Sequence, residues 1–305
     1  MAGNIMQSTN FRAIVEPVMN VAFNGIYEQR ADEWKQIFRE FDGIPRNYHE
    51  EPVLYGFGAA PELPDGMPVT YQAGGTFFLQ RYVYKVYGLA FALTKVLVED
   101  GDHISIGKTY AEHLAQSLIE TKETLCANVM NRSFNASFAG GDGVALVANN
   151  HPLTSGTFSN VLTTAANLSQ TSLEQILVQI RNAVDNNGKR IRLTPEQIIT
   201  SPSNVFQAEV LLNSALRAGT ANNDINPVKS MGMLSKGQAN LSRLTSTTAW
   251  WVKTDAQKGL QMVKRRGLEK SMEGDFETDS MRYKATERYA VGWTDPRTVY
   301  GTAGV

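Results

Sequence analysis

After Gly107 the chain runs for more than thirty residues without a Gly or Pro. Within the stretch from Ser105 to about Asn135, Tyr110, Leu114, Leu118, Leu125 and Val129 recur at the four-and-seven spacing that stripes one helix face. The spacing predicts a single amphipathic helix, roughly 45 Å long at 1.5 Å per residue. That is well beyond an ordinary globular helix of about three turns. A helix of this length is a strut, and the other segments have to be arranged along it.

With 305 residues the chain has material for two structural units. Apolar residues make up 42% and charged residues 19%, which is the composition of a globular chain and not of a disordered one. Twenty-nine basic residues stand against thirty acidic ones, a formal charge of -1. No chain-wide attraction to nucleic acid or to an anionic membrane follows from that balance. The one cysteine, Cys126, falls inside the predicted strut, which excludes an intrachain disulfide and a Cys-based metal site and fits a reducing cytoplasm. Met1 to Asn20 lacks a positive flank followed by an apolar run, and no segment approaches eighteen consecutive apolar residues. The expectation is a soluble cytoplasmic product with no membrane partner.

Residues 11 to 41 place Ile14, Val18, Val21 and Phe23, then Trp34, Ile37, Phe38 and Phe41, at helical spacing. Two short helices with a break at Gly25 are expected, forming an aromatic arm that either docks elsewhere or folds back on its own core. Val53 to Phe57 and Val69 to Tyr71, with Pro61 to Gly66 between them, read as a hairpin with a loose tip. From Phe77 to Leu97 the period becomes two with both faces largely apolar, which predicts one long strand covered on both sides.

Gly140-Gly141-Asp142-Gly143 is expected to end the strut and to mark a domain boundary. Thr171-Ser172-Leu173-Glu174 offers a capping box for a helix through Leu173, Ile176, Leu177, Ile180 and Val184, closed by Asn186-Asn187-Gly188. A buried strand at Gln197 to Thr200 follows. Ser201-Pro202 then opens a helix through Phe206, Val210, Leu211 and Leu216, and Gly219 to Gly237 reads as a loop. Strands return at Ala249 to Thr254, Leu260 to Lys264 and Met281 to Tyr300. Lys264-Arg265-Arg266 precedes Glu273, Asp275, Glu277 and Asp279, which sit two apart and share one strand face. Such a face repels itself unless a positive surface lies opposite, on a neighbouring subunit, or solvent screens it.

Two features of the sequence bear on chemistry. Gly101 to Thr109 (Gly-Asp-His-Ile-Ser-Ile-Gly-Lys-Thr) resembles a phosphate-cradling loop. Five residues separate its glycines where that motif has four, and the competing reading is a turn with Ser105 capping the strut. The four histidines, His49, His103, His113 and His151, are dispersed, with no His-Glu-x-x-His and no Gly-x-Ser-x-Gly. His151-Pro152 reads as an ordered turn in preference to a base. No catalytic, metal or cofactor-binding residue is predicted, and no cofactor.

The order of parts, with an arm, a hairpin, a strand, a strut, an α/β insertion and a return to strands, resembles the major capsid proteins of tailed phages, the Hong-Kong-97-type α+β fold. More narrowly the chain resembles the Mu-type major head subunit. The residues carrying this are Leu93-Thr94-Lys95 through Glu99-Asp100, Ala148-Asn149-Asn150-His151-Pro152, and the closing run from Glu287-Arg288-Tyr289 through Trp293-Thr294-Asp295-Pro296-Arg297 to Gly301. The resemblance implies an N-terminal arm over 1–48 and an extended hairpin loop over 49–76. It implies a peripheral domain with the spine helix over 77–139, an axial domain over 140–248 and a second peripheral part over 249–305.

It further implies self-assembly into pentamers and hexamers of an icosahedral shell around packaged double-stranded DNA, built in the host bacterial cytoplasm and found in the virion. Partners would be a separate scaffolding protein, since no long charged segment precedes the arm, a portal protein and a decoration protein. A charge near zero suits a container that should not grip its cargo. Expected subunit contacts are Trp34 and Phe38 of the arm, Tyr55, Phe57 and Tyr71 of the hairpin, and Arg288, Asp295 and Arg297 of the closing strands, for which packing inside the subunit with a turn at Asp295-Pro296 is the competing reading. Lys264, Arg265 and Arg266 are expected to face Glu273, Asp275 and Glu277 of a neighbour. Two rivals stand beside this reading: an encapsulin-like nanocompartment of the same fold, and a P-loop-like nucleotide-binding enzyme.

Overall fold

The strut is helix α2, His103–Asn131, about 43 Å long. In the computed structural model, which describes residues 8–29, 32–94, 96–97, 103–217, 224–275 and 280–305, its buried side is Ala111, Leu114, Ala115, Leu118, Ile119, Cys126, Ala127 and Met130. The buried stripe is rotated from the expected one, because Tyr110 is exposed. Small residues explain the rotation: Gly107 and the two alanines let helix α1, Ser8–Gln29, approach closely, with Met19 against Gly107. Helix α1 is continuous, so the break expected at Gly25 does not occur. Val15, Met19 and Phe23 stack on α2 and on the sheet behind it, and tertiary packing of one face outweighs a local glycine cost of about 1 kcal/mol.

After a 3-10 turn over Glu33–Gln36 come β1 (Arg39–Asp42), β2 (Tyr48–Tyr55), β3 (Gly75–Val83) and β4 (Lys85–Leu93). The single strand expected from Phe77 to Leu97 is therefore two. Tyr82 and Tyr84 are both buried against Val263 and Ala290, and between them and Lys85 the chain changes sheets. Strand β3 pairs with β2 in a hairpin. Strand β4 is the edge of a sheet ordered β1-β10-β11-β4, where β10 is Leu260–Asp275 and β11 is Ser280–Trp293. One face of β4 is open, with Val86, Gly88, Ala90 and Ala92 all exposed, while Tyr87, Phe91 and Leu93 of the other face are covered, so the expectation of two covered faces is corrected.

The second sheet, ordered β12-β9-β7-β8, is built from β7 (Pro195–Thr200), β8 (Gln238–Asn240), β9 (Trp250–Thr254) and β12 (Val299–Thr302). The expected boundary at 248/249 runs through this sheet, because β9 and β12 pair with each other and β9 with β7. Adjacent strand residues point to opposite faces. Trp250 accordingly enters a core with helix α3 (Gln170–Arg181), while Trp251 enters a core with α2. Helix α3 is capped by a reciprocal Ser169/Ser172 pair, two residues ahead of the expected box.

Beyond the short β5 and β6, His151–Pro152 and Thr157–Phe158, three local expectations change. Helix α4, Val205–Asn213, buries Ala208 and Leu211 and leaves Phe206 and Val210 exposed. The expected loop up to Gly237 contains helix α5, Pro227–Ser230, capped by Asn226, and its 219–223 part lies outside the described residues. Helix α2 ends at Asn131, before the glycine cluster, and Gly140 instead lies against the buried Trp293 ring.

A Cβ at Gly140 would overlap that ring, so Gly140→Ala should cost about 1–3 kcal/mol. Gly25, with nothing near its missing Cβ inside α1, should gain about 0.5–1 kcal/mol as Gly25→Ala. Denaturant midpoints of the unassembled subunit check both signs.

Candidate subunit-contact surface

The hairpin supplies the exposed apolar surface. Strands β2 and β3 pair from Tyr48↔Val83 to Tyr55↔Gly75, with an irregularity at Val53/Leu54. The second strand lies later than the expected Val69 to Tyr71, which has no regular structure. Tyr71 is 96% exposed and Phe57 59%; Leu63, Met67 and Val69 are exposed beside them, and Tyr55 is half-buried. This surface belongs to a segment whose only charged residues between 56 and 74 are Glu62 and Asp65. Its root is tied to the turn after α3: Asn186 Nδ2 donates to Leu54 O (3.2 Å), Asn187 Nδ2 to Gly56 O (2.8 Å) and Lys189 Nζ to Phe57 O (3.3 Å).

A groove of about 310 Å³ lies between α2 and the start of β4. Leu125 and Val129 of α2 form its floor with Tyr87 and Tyr289, and Arg81, Lys85 and Arg132 supply its charge, with no acidic lining residue among the described ones. Arg81 is held by Glu50 (2.6 Å), and Arg132 lies over the Phe138 ring (4.4 Å). The sequence pattern carried no sign of this groove, because its walls come from residues 80–87, 125–140, 146 and 289–293.

The arm is folded on its own chain. Trp34 and Phe38 are buried in the core with Cys126, Met130, Trp251 and Trp293, the folded-back alternative for the arm, so neither stands outside as a subunit contact. The 3-10 turn that holds Trp34 is seated on α2 by Glu123, whose carboxylate accepts the Glu33 N–H (2.7 Å) and the Trp34 N–H (3.2 Å). Burial pushes that carboxyl above the usual range, and the two N–H donors oppose the shift. Burial likewise pushes the Cys126 thiol well up, so it is packing and not a nucleophile.

Among the described residues, Lys264, Arg266 and Asp275 of the charged strand segments meet partners within the same chain. Lys264 faces Asp42 (3.2 Å) and Glu40 (3.6 Å) across the parallel β1–β10 pair. Arg266 meets Glu269 (3.2 Å), Arg282 pairs with Asp275, and Glu273 stands opposite Arg282. Arg265 is half-buried, and Glu277 and Asp279 lie outside the described residues. In the closing run, Arg288 lies over Tyr84. Asp295 caps the 3-10 turn at Pro296–Thr298 and takes Arg297 Nη1 (3.3 Å). Arg297 itself is buried and donates to Val184 O (2.7 Å).

A buried cluster missed in the sequence locks α1, α2 and β11 together. Glu287 accepts Tyr27 Oη (2.5 Å) and pairs with Lys122 Nζ (2.7 Å), which also donates to Tyr27 Oη (2.7 Å). Burial, then the Glu287 charge, raise the Tyr27 hydroxyl far above its ordinary value. The phosphate-loop reading loses its geometry. Gly101 and Asp102 lie outside the described residues, and Gly107, Lys108 and Thr109 sit inside α2, beyond the four free N–H groups of a helix start. Among the described residues no cluster of His, Cys, Asp and Glu could hold a metal, and no helix is long and apolar enough to cross a membrane.

Residues 80–301 match the family described as phage capsid protein. The chain belongs to that family, and its role is that of a shell-forming capsid protein. No curated protein matches it. Its fold, a mixture of helices and strands, is similar to that of the capsid of cyanophage P-SCSP1u, at 11% identity over 90% of this chain and 89% of that one, with a TM-score of 0.58. It is also similar to that of Mycobacterium phage Patience, at 9% identity over 93% and 88%, with a TM-score of 0.53. A virus-like particle from Pyrococcus furiosus shares it too, at 10% identity over 94% and 98%, with a TM-score of 0.52.

Removing Lys122 as Lys122→Met leaves Glu287 buried without its cation, at a cost of about 3–5 kcal/mol. Lys264→Met, at a pair half open to water, should cost less than about 1 kcal/mol. Chemical unfolding of the subunit distinguishes the two.

Proposed function

We propose that the chain is the major head subunit of a tailed phage, of Mu type within the Hong-Kong-97-type fold. It assembles as pentamers and hexamers around double-stranded DNA, in the cytoplasm of a host bacterium. The observation that carries the finer reading is the hairpin, a long exposed apolar segment on a chain whose arm aromatics, Trp34 and Phe38, are buried in its own core. Large exposed apolar patches mark interaction sites.

The parts are then an arm over 1–48, an extended loop over 49–76, a peripheral domain with its spine helix over 77–139, and an axial domain over 140–248. Residues 249–305 return to the peripheral domain, except that β9 and β12 complete the axial sheet. The arm packs on its own spine, and the hairpin of one copy reaches the α2 groove of the next. Charge supports that pairing: the tip carries Glu62 and Asp65 and no cation, and the groove carries Arg81, Lys85 and Arg132.

A separate scaffolding protein, a portal and a decoration protein complete the assembly, and DNA is enclosed without sequence-specific contact, consistent with a formal charge of -1. The likeness to a virus-like particle is one of fold, and a second reading is the same shell around a protein cargo. Nuclease-protected DNA in particles from cells separates the two.

The double change Glu62→Lys with Asp65→Lys should slow assembly about tenfold or more, followed by light scattering on subunits shown folded by circular dichroism. Lys85→Glu with Arg132→Glu in the same chain should restore it. Wild-type assembly by the tip variant would remove the hairpin from the contact.

A further inference from the structure

We infer that Asp142, His151 and Asn160 form a proton-dependent clasp that binds the segment after the strut to the C-terminal strand. The inference rests on hydrogen-bond accounting and is independent of what the shell encloses. His151 and Asn160 are fully buried, and the Asp142 side chain nearly so. Asn160 Nδ2 faces three carbonyls, those of Leu146 (2.7 Å), Pro296 (3.0 Å) and Val299 (2.9 Å). Its Oδ1 accepts the Ala148 N–H (2.8 Å). Flipping this amide would set an oxygen against three oxygens and an NH2 against an N–H, so its orientation is determined.

His151 Nε2 lies 3.2 Å from that same Oδ1, which is an acceptor, so Nε2 has to carry a hydrogen. His151 Nδ1 lies 2.6 Å from Asp142 Oδ2, and a lone pair against a carboxylate oxygen at that distance is repulsive, so a hydrogen lies between them as well. Asp142 Oδ1 is occupied by the Val144 N–H (3.1 Å). The pair therefore holds one proton more than a neutral imidazole beside a carboxylate. Either neutral tautomer leaves two buried acceptors facing each other.

The clasp has a position that gives this proton leverage. Asp142 is in the turn after α2, His151 is in β5, and Asn160 joins both to the C-terminal segment. Asn160 does so through Pro296 and Val299, and through its own carbonyl, which accepts the Gly301 N–H (3.0 Å). The His151 ring stacks on Phe158 (4.9 Å), whose ring also carries the Arg297 guanidinium (4.4 Å), and Arg297 is in turn held by Asp295. Asp142, Arg297 and Asp295 are thus the charged groups around the ring among the described residues. The fold bonds the protonated pair, and removing its proton leaves two buried acceptors facing each other. Loss of the proton loosens the tie between residues 142–160 and β12.

The variant Asp142→Asn tests this, because its amide can supply the missing N–H to Nδ1 and close the clasp on a neutral ring. Melting temperatures of the full unassembled chain would be followed from about pH 6 to about pH 9, the range where histidine chemistry operates. The expected result is a wild-type value that falls by several degrees relative to Asp142→Asn across that range. A constant offset between the two would overturn the clasp. Nitrogen-15 spectra of the wild-type histidine rings, with His151 assigned by its loss in His151→Asn, decide the matter if Asp142→Asn does not fold. Two protonated ring nitrogens at neutral pH support the inference, and one bare nitrogen contradicts it.

Discussion

One apolar cluster joins the arm, the strut and both sheets of this subunit. Trp34 and Phe38 come to it from the arm, Cys126 and Met130 from α2, Ile199 and Trp251 from one sheet, and Met262, Tyr289 and Trp293 from the other. Burying a large side chain contributes about 1.5–3 kcal/mol, so this one site couples elements that are far apart in the chain. Because the arm aromatics are used here, the chain has the hairpin left as its long apolar projection. The division between inward and outward aromatic residues sets what the subunit can offer a neighbour.

Polar groups reinforce the same layering. Glu123 seats the arm on the strut through two backbone N–H groups, and Lys122 with Glu287 and Tyr27 pins α1, α2 and β11 at one point. Arg243 bridges Glu120 of α2 and Glu33 of the arm. Buried ionic groups of this kind contribute little net stability compared with apolar packing, and breaking one partner is costly. They act as register marks: the arm fits the strut in the position where every carboxylate finds its donor.

The elements legible in the sequence were those whose pattern is local. The strut over His103–Asn131, the helix through Leu173, Ile176, Leu177 and Ile180, and the strand ending at Thr200 all follow from spacing within a dozen residues. The hairpin is legible from Pro and Asp-Gly chemistry, though its second strand, Gly75–Val83, begins later than the β-prone run at Val69 to Tyr71 suggests. What escaped depends on partners distant in sequence. Period two over Phe77 to Leu97 could not reveal that β3 pairs with β2 while β4 pairs with β11, nearly two hundred residues later. Phe206 looked like core because apolar spacing does not say which helix face meets the sheet. The charged run at Lys264 to Arg266 looked like an intersubunit feature because its partners Glu40 and Asp42 arrive from the arm.

The central claim is that this subunit keeps its arm and projects its hairpin onto a neighbour in a closed shell. Electron microscopy of assembled protein, at a resolution that traces strands, tests it most directly. The account predicts closed particles in which residues 56–74 of one copy lie over the α2 groove of the next while Trp34 stays in its own subunit. Particles in which the hairpin tip contacts only its own chain, or a protein that remains unassembled with its scaffold supplied, would contradict it.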